Sequence, residues 1–280
     1  MKIAIFGAGQ LAMMMIEASS DLGHEFIVID PASRPPASKL AKHYMVEYND
    51  EEILKFVASE CDIATIDFEN VDISALKYLE NHIKVSPPSN ALKICQDRLY
   101  EKKLFTELGI NVTEYHSVNN INDIEYIISD DKSNYLLKSR RFGYDGKNQL
   151  KCDEEKGLLN NLLTKNDCII VKIVDFKTEV SLICVRQDED TIYFYPLVEN
   201  FHTSGILRYS IFPYSNASLQ DTAEEYATNI LNHFNYVGVL VIEFFVSNDG
   251  LLIANEMAPR VHNSGPVSYT HLTLPTNTVV

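Results

Sequence analysis

The stretch Val237–Gly265, VGVLVIEFFVSNDGLLIANEMAPRVHNSG, decides how the chain is read. Two apolar runs, Val239–Val246 and Leu251–Asn255, flank Ser247-Asn248-Asp249-Gly250. Asn, Asp and Gly tolerate the positive φ of tight turns, so the pattern predicts a β-hairpin. Each strand carries a carboxylate where an apolar residue is expected: Glu243 inside VIEFF and Glu256 after LLIAN. A carboxylate among strand residues facing a core is costly unless a cation or hydrogen bonds compensate it. Two of them on paired strands, with Asn255 alongside, compose an oxygen cage suited to Mg²⁺, which takes a few carboxylates together with substrate phosphates. The competing reading is two edge carboxylates facing water. Arg260, His262, Asn263 and Ser264 then crowd into the following loop, and loops held by rigid elements are where catalytic groups gather.

At the other end of the chain, Ile3–Phe6 reads as a buried strand, followed by Gly7-Ala8-Gly9-Gln10-Leu11-Ala12, a helical run to Gly23 and a second strand, Glu25–Ile29, closing on Asp30. Strand, glycine turn, helix, strand and acid make a doubly wound, nucleotide-type beginning. Gly7 and Gly9 permit close approach of a ligand, and the helix N-terminus favours an anion. NAD binding, with Asp30 on a ribose, is one reading of this unit. Further on, Glu51–Ser59 is expected as a helix and Ile63–Ile66 as a strand. Glu69 follows that strand, either as a ligand contact or as a cap of the helix starting near Asp72. Val85 opens a last short strand, and the unit closes near residue 90.

Ala91–Leu108 reads as one charged helix in which Lys102 and Lys103 are solvated and Arg98 lies on another face. Strands Tyr135–Lys138 and Cys168–Val171 bracket Lys138-Ser139-Arg140-Arg141-Phe142-Gly143-Tyr144-Asp145-Gly146-Lys147-Asn148-Gln149. A basic loop around two glycines is a natural polyphosphate cradle, or else a hairpin turn with exposed cations. Glu179–Val185 and Ile192–Leu197 are expected as strands, and Ala223–Phe234 as an amphipathic helix. His202 reads either as a loop histidine or as a phosphate contact.

The formal charge of −15 argues against nucleic acid as a partner. Five scattered cysteines without a C-x-x-C pair point to a reducing compartment rather than to disulfides or zinc. MKIAIF is already a strand, and no apolar run is long enough to span a bilayer, so no signal peptide and no membrane are expected and the setting is read as cytoplasmic.

With these residues in view, the chain resembles the ATP-grasp superfamily and, more closely, its N5-carboxyaminoimidazole ribonucleotide synthetase family. The resemblance rests on GAGQL, FENV at Phe68, QDRLYEKKLF at Gln96, GYDGKNQ at Gly143, EVSL at Glu179 and NEMAPRVHNSG at Asn255, in the family's order over residues 1–265. The resemblance implies an α/β fold: a doubly wound, Rossmann-like domain over 1–90, a linking helix over 91–112, a lid subdomain over 113–175 and an ATP- and metal-binding subdomain over 176–265. It also implies an ATP- and bicarbonate-dependent carboxylation of 5-aminoimidazole ribonucleotide through carboxyphosphate, with Mg²⁺ and a homodimer when the protein is full length.

By that likeness Arg98, Lys138 and Gly143–Gln149 (Gly143, Tyr144, Asp145, Gly146, Lys147, Asn148, Gln149) contact ATP phosphates. Lys172, Ile173 and Val174 form the adenine hinge, Glu179 holds the ribose, and His202, Asn255 and Glu256 complete the nucleotide site. Glu243 and Glu256 are the metal ligands. Gln10, Leu11, Glu69, His262, Asn263 and Ser264 face the substrates, with the glycine turn on a substrate phosphate, and Asp145, Lys147 and Arg260 carry the catalytic roles. Three departures stand out. Asn148 replaces the loop's last glycine, Val171 and Lys172 stand where the hinge is usually acidic, and residues 266–280 read as foreign or frame-shifted sequence in place of a β-rich C-terminal domain. That last feature leads us to expect a poorly soluble, inactive chain. Rival readings are another ATP-grasp carboxylase or ligase, a non-catalytic nucleotide-binding fragment, and an NAD-dependent oxidoreductase.

Overall fold

The structure, a computed structural model, describes residues 1–128, 132–143, 148–203 and 205–265. Tyr144, Asp145, Gly146 and Lys147 of the basic loop, and the 266–280 segment, lie outside the described residues. Short apolar runs alternating with helices build the first sheet. β1 (Lys2–Phe6), β2 (Glu25–Ile29), β3 (Lys42–Tyr44), β4 (Ile63–Ile66) and β5 (Lys84–Val85) lie in the order β3-β2-β1-β4-β5, all parallel. Parallel sheets are covered on both faces by their crossover helices, here α1 (Gln10–Ala18), α2 (Glu51–Glu60) and α3 (Ile73–Glu80). One apolar cluster joins Ile27, Ile29, Val57, Ile66 and Leu76, and a second joins Ile5, Ala12, Ile16 and Val28. Asp72 caps α3 by accepting from Ser74 N at 2.8 Å, so Glu69 is not the cap.

The expected helix over residues 91–108 is two helices, α4 (Ser89–Cys95) and α5 (Arg98–Glu107). Asp97 breaks it. Its extended backbone and side chain, accepting from Leu99 N at 3.0 Å, start a new helix, and Asp prefers such caps to helix interiors.

The next sheet is antiparallel. β6 (Tyr115–Val118), α6 (Ile121–Ile127), β7 (Tyr135–Ser139), β8 (Gln149–Lys151), α7 (Lys156–Lys165) and β9 (Cys168–Lys172) follow in sequence, with strand order β6-β9-β7-β8. Leu137 and Ile170 pack there against Ile124 and Leu159 of the two helices.

The third sheet carries the hairpin. It comprises β10 (Phe176–Arg186), β11 (Ile192–Phe194), β12 (Val198–Thr203), β13 (Ile206–Ile211), β14 (Gly238–Ser247) and β15 (Leu252–Ala258), in the order β13-β12-β10-β14-β15 with β11 beside β10. α8 (Ala217–Phe234) lays Ala223, Ala227, Ile230 and Leu231 on Leu182, Leu240, Ile242 and Phe244. The expected strand over Ile192–Leu197 stops early. Pro196 has no N–H for a ladder, and Gln220 of α8 takes over, accepting from Leu197 N at 2.8 Å and donating to Tyr195 O at 3.1 Å. His202 consequently lies on β12 rather than in a loop, and β13 adds a strand that periodicity does not announce. Among the described residues no helix is long and apolar enough to cross a membrane.

Candidate ATP and metal site

The hairpin turn closes through Ser247 N to Leu251 O at 2.9 Å, with Gly250 at φ 84, and Asn248 ties its tip to Asp175 at 2.8 Å. Strand alternation sends Ile242 and Phe244 into the core and leaves Glu243 and Phe245 on the opposite face. Glu243 pairs directly with Glu256, while Phe244 pairs with Ala254, so Asn255 is the extra residue of a β-bulge. The bulge re-aims the Asn255–Glu256 step, and both residues line a cleft of about 160 Å³ together with Arg98, Lys138 and Lys172.

Of the two acids only Glu243 is withdrawn from water; Glu256, on the edge strand β15, is exposed to the cleft. The Glu243 side chain is 14% exposed, with His262 Nδ1 at 3.6 Å from its Oε1. Burial, and then the charge of Glu256, push Glu243 up to about 8. Glu256 opens into the cleft. The depth of that cleft works to raise its pKa, but the cations led by Arg98, with Lys138 and Lys102, outweigh it, and the pKa is lowered. One acid thus holds its proton while the other is ionised, the usual result of two carboxylates sharing a site. Burial, followed by Arg260, brings His262 down to about 4, so it faces the acids as a neutral ring. Its Nδ1 lies 2.9 Å from Ser264 Oγ. Asn263 is exposed beside it.

Across the cleft, Lys138 projects from β7, and burial, then Arg98, lower it to about 8. Arg98 opens α5 and donates Nη1 to Ser139 O at 3.2 Å and Nη2 to Gly143 O at 2.8 Å. A Cβ on Gly143 would meet Arg98 Nη1 at 2.6 Å, so a side chain there would push the guanidinium out of its present seat. Asn148 sits at φ 57, a left-handed backbone that Asn tolerates best among non-glycine residues, and its Nδ2 donates to Phe142 O at 3.3 Å. Gln149 begins β8 opposite Lys138.

At the hinge, Lys172 N donates to Glu114 O at 2.9 Å, Lys172 O accepts from Thr113 Oγ1 at 2.8 Å, and Ile173 N donates to Asn134 O at 2.7 Å. The main chain here is pinned by its neighbours whatever the side chain, which is why Lys172 fits where an acid is usual. Ile173 and Val174 line the same cleft, beside the stacked Phe176 and Phe245 rings 4.7 Å apart. Glu179 lies on β10 and brings its Oε2 within 2.8 Å of His202 Nδ1; that contact raises His202 above its ordinary value.

The glycine turn of the first unit is filled from within. Ala8 N donates to Asp30 at 2.9 Å and Gly9 N donates to Asp67 at 2.6 Å. A Cβ on Gly7 would fall 1.6 Å from Asp67 Oδ1. Asp67 therefore stands where a dinucleotide pyrophosphate would sit, and Asp30 is turned onto the backbone rather than toward a ribose. This disposes of the NAD reading. These two acids take up N–H groups of the glycine turn that the resemblance assigned to a substrate phosphate, and Gln10 and Leu11 open α1 directly after it.

Glu69 Oε1 pairs with Arg260 Nη2 at 2.7 Å, joining the first unit to the loop after β15. Arg260 Nη1 donates to Val261 O at 2.7 Å, and its buried Nε has no hydrogen-bond partner among the described residues.

Four residues that pattern reading passed over hold this arrangement together. Asp97 takes both Arg140 Nε and Nη2, at 3.0 and 2.6 Å. Gln96 donates to Glu69 O and Val71 O, each at 2.7 Å, and accepts from Arg141. Lys102, expected in solvent, is 5% exposed and bonds the Ala254 and Asn255 carbonyls, and Glu101 is 3% exposed. The signal for the last two was present. Arg98, Glu101, Lys102 and Phe105 share one helical face at i, i+3, i+4 and i+7, which corrects the expectation that Arg98 lies on another face than Lys102.

Comparison with known proteins agrees with this geometry. The ATP-grasp domain family matches residues 103–276, and the ribonucleotide synthetase preATP-grasp domain family matches residues 1–96. The N5-carboxyaminoimidazole ribonucleotide synthase of Pseudomonas aeruginosa is 39% identical over 267 residues, covering 95% of this chain and 74% of that protein. The N5-carboxyaminoimidazole synthetase of Staphylococcus aureus, solved with ADP, superposes with a TM-score of 0.89 at 33% identity, over 95% of this chain and 72% of the other. The carboxyaminoimidazole ribonucleotide synthase of Aspergillus clavatus, solved with ATP, gives 0.86 at 25% identity, over 94% and 71%. The chain belongs to the N5-carboxyaminoimidazole ribonucleotide synthase family, with a preATP-grasp unit followed by an ATP-grasp domain.

Proposed function

We propose that this chain, whose site residues all lie within 1–265, carries out the reaction of its family, against the expectation of inactivity that residues 266–280 raised: carboxylation of the exocyclic amine of 5-aminoimidazole ribonucleotide, driven by ATP and bicarbonate through carboxyphosphate. The observation that carries the reading is the apposition of Glu243 and Glu256 across one register pair, with Glu256 lining the cleft that also holds Lys138 and Arg98. Phosphoryl transfer depends on positioning and on neutralising charge, and this cleft supplies cations on one wall and metal-seeking acids on the other.

Mg²⁺ fits the acids. Burial, and then the neighbouring charge of Glu256, drive Glu243 up to about 8, and a cation bound between the two carboxylates would relieve both. Among the described residues no cluster of three or more His, Cys, Asp or Glu could hold a metal unaided. The donor set is therefore that of an ion shared with nucleotide phosphates, Glu243 and Glu256 binding it with Asn255 beside them. When bound, the ion would offset charge on the transferring phosphoryl group.

In this reading Lys138, Arg98, Gly143, Asn148, Gln149 and the loop residues Tyr144, Asp145, Gly146 and Lys147 bind the phosphates. Lys172–Val174 accept the adenine, Glu179 holds the ribose, and His202, held by Glu179, lies near the nucleotide. Arg260, anchored by Glu69, orients bicarbonate and the aminoimidazole nucleotide, together with Gln10, Leu11, His262, Asn263 and Ser264. Asp145 and Lys147 join Arg260 in the carboxylation step. The cytoplasm is the proposed setting and a homodimer the proposed assembly, and the five free thiols accord with a reducing compartment.

The test is ADP release with ATP–Mg²⁺, omitting bicarbonate and the aminoimidazole nucleotide in turn. Full release is expected only with both present. Release that ignores both omissions would refute the proposed substrates.

A further inference from the structure

α5 buries two charged residues that the proposed reaction does not use, Glu101 and Lys102, and both reach the strand that carries Glu256. Lys102 Nζ donates to Ala254 O at 2.9 Å and to Asn255 O at 2.7 Å. Glu101 Oε1 accepts from Met257 N at 2.8 Å. These three backbone groups lie immediately before and after Glu256. A β-bulge disrupts the ladder locally and leaves its extra residue unpaired, and Asn255 is that residue. On the far side, Ala254 N donates to Asn111 O at 2.8 Å, so the bulge is held from outside its own hairpin.

The same helix holds the opposite wall. Its first residue, Arg98, binds the Ser139 and Gly143 carbonyls, and its cap, Asp97, takes Arg140. One short helix thus bonds the phosphate loop at its start and the acid-bearing bulge one turn later. A buried ammonium and carboxylate are not explained by stability alone, because well-packed apolar residues of similar size often serve a fold as well or better.

We propose that Glu101 and Lys102 are positioning residues for the metal-bearing strand. They fix the bulge so that Asn255 and Glu256 meet the nucleotide phosphates at the spacing that Arg98 sets for the loop. This rests on the reading of Glu243 and Glu256 as the Mg²⁺ ligands. Outer groups that orient metal ligands typically carry 10–100-fold in metal affinity.

The experiment is a calorimetric titration of ADP into the 280-residue chain, with and without Mg²⁺, for the parent and for Lys102→Met, Lys102→Arg, Glu101→Gln and Leu104→Ala, each first checked for cooperative thermal unfolding. In the parent, Mg²⁺ is expected to tighten ADP. Lys102→Met should lose about 10–100-fold of that gain while its affinity for ADP alone changes little. Lys102→Arg should recover most of the gain, and Glu101→Gln should lose part of it. Leu104→Ala removes a 4%-exposed core side chain from the same helix, so it should unfold at lower temperature yet keep the full gain.

A folded Lys102→Met with the parent's gain overturns the proposal, as does a Leu104→Ala variant that loses as much. If Lys102→Met does not fold, the decision passes to Glu101→Gln, where an undiminished gain overturns it. A parent whose ADP affinity ignores Mg²⁺ refutes the metal site itself, and the inference with it.

Discussion

Two places in the molecule bring acids together, and they do opposite things with them. In the glycine turn, Asp30 and Asp67 converge on the start of α1, and main-chain N–H groups of the same turn, from Ala8 and Gly9, satisfy them. In the hairpin, Glu243 and Glu256 pair with each other, and side chains from other elements compensate them: Arg98 and Lys138 across the cleft for Glu256, His202 and Arg260 for Glu243. Acids answered by their own backbone close a site. Acids answered only across an opening leave room for a cation and a polyanion. Fold ancestry alone would place the nucleotide at the turn, whereas the site we propose lies at the hairpin.

The largest expected effect breaks the hairpin side of this contrast. Glu256→Gln keeps shape and loses charge, so ATP cleavage should fall by about 10²–10³-fold or more, with the unfolding midpoint nearly unchanged. Steady-state ADP release together with a melting curve checks both halves. Cleavage near the parental rate would mean that Glu256 is not a metal ligand.

The next effect breaks the turn. Gly7 has φ +97, and a Cβ there would lie 1.6 Å from Asp67 Oδ1. Gly7→Ala should lose about 3 kcal/mol or more in urea unfolding, while the affinity of folded protein for ADP stays the same. If ADP affinity falls in step with stability, the turn and the cleft are not separate.

Titration sharpens the comparison further. Burial raises Asp67 to about 6, against the opposing N–H of Gly9 and the charge of Arg260. A carboxyl whose folded pKa is raised keeps its proton longer in the native state. Its contribution therefore declines as pH climbs from about 3.8 to about 6 and is constant above that. Asp67→Asn should remove this decline, gaining up to about 3 kcal/mol on the parent across that window. Parallel pH–stability curves for the two proteins would contradict the assignment.

Much of this was legible in the sequence, and the failures have physical causes. The β1–turn–α1–β2 start and the Asn-Asp-Gly hairpin announce themselves, because turn chemistry and apolar period are local. The break at Asp97 was legible only as a cap inside a helical period, a contest that propensity does not decide. Lys102 was misread because a lysine's ordinary place is in water, and its partners, Ala254 O and Asn255 O, lie more than 150 residues away. β13 was missed because its exposed, mixed strand carries little alternation. Asp67, one residue past β4, needed the fold to show that it fills the turn after β1. Local chemistry was readable, and long-range satisfaction of buried charge was not.

A smaller effect is expected at the loop. Asn148→Gly relieves a left-handed residue but adds freedom to the unfolded chain, so stability should move by less than about 0.5 kcal/mol. Faster amide exchange at Gln149, with unaltered exchange in β14, would confine the change to the loop.

The contrast itself is tested most directly by thermal unfolding with saturating ATP–Mg²⁺ and, separately, with NADH. A ligand that binds only the native state raises its stability by about 2.7 kcal/mol at a hundred times its Kd. The account predicts such a rise with ATP–Mg²⁺, its loss in Glu256→Gln, and no rise with NADH in either protein. Stabilisation by NADH, or an ATP–Mg²⁺ effect that survives Glu256→Gln unchanged, would contradict it.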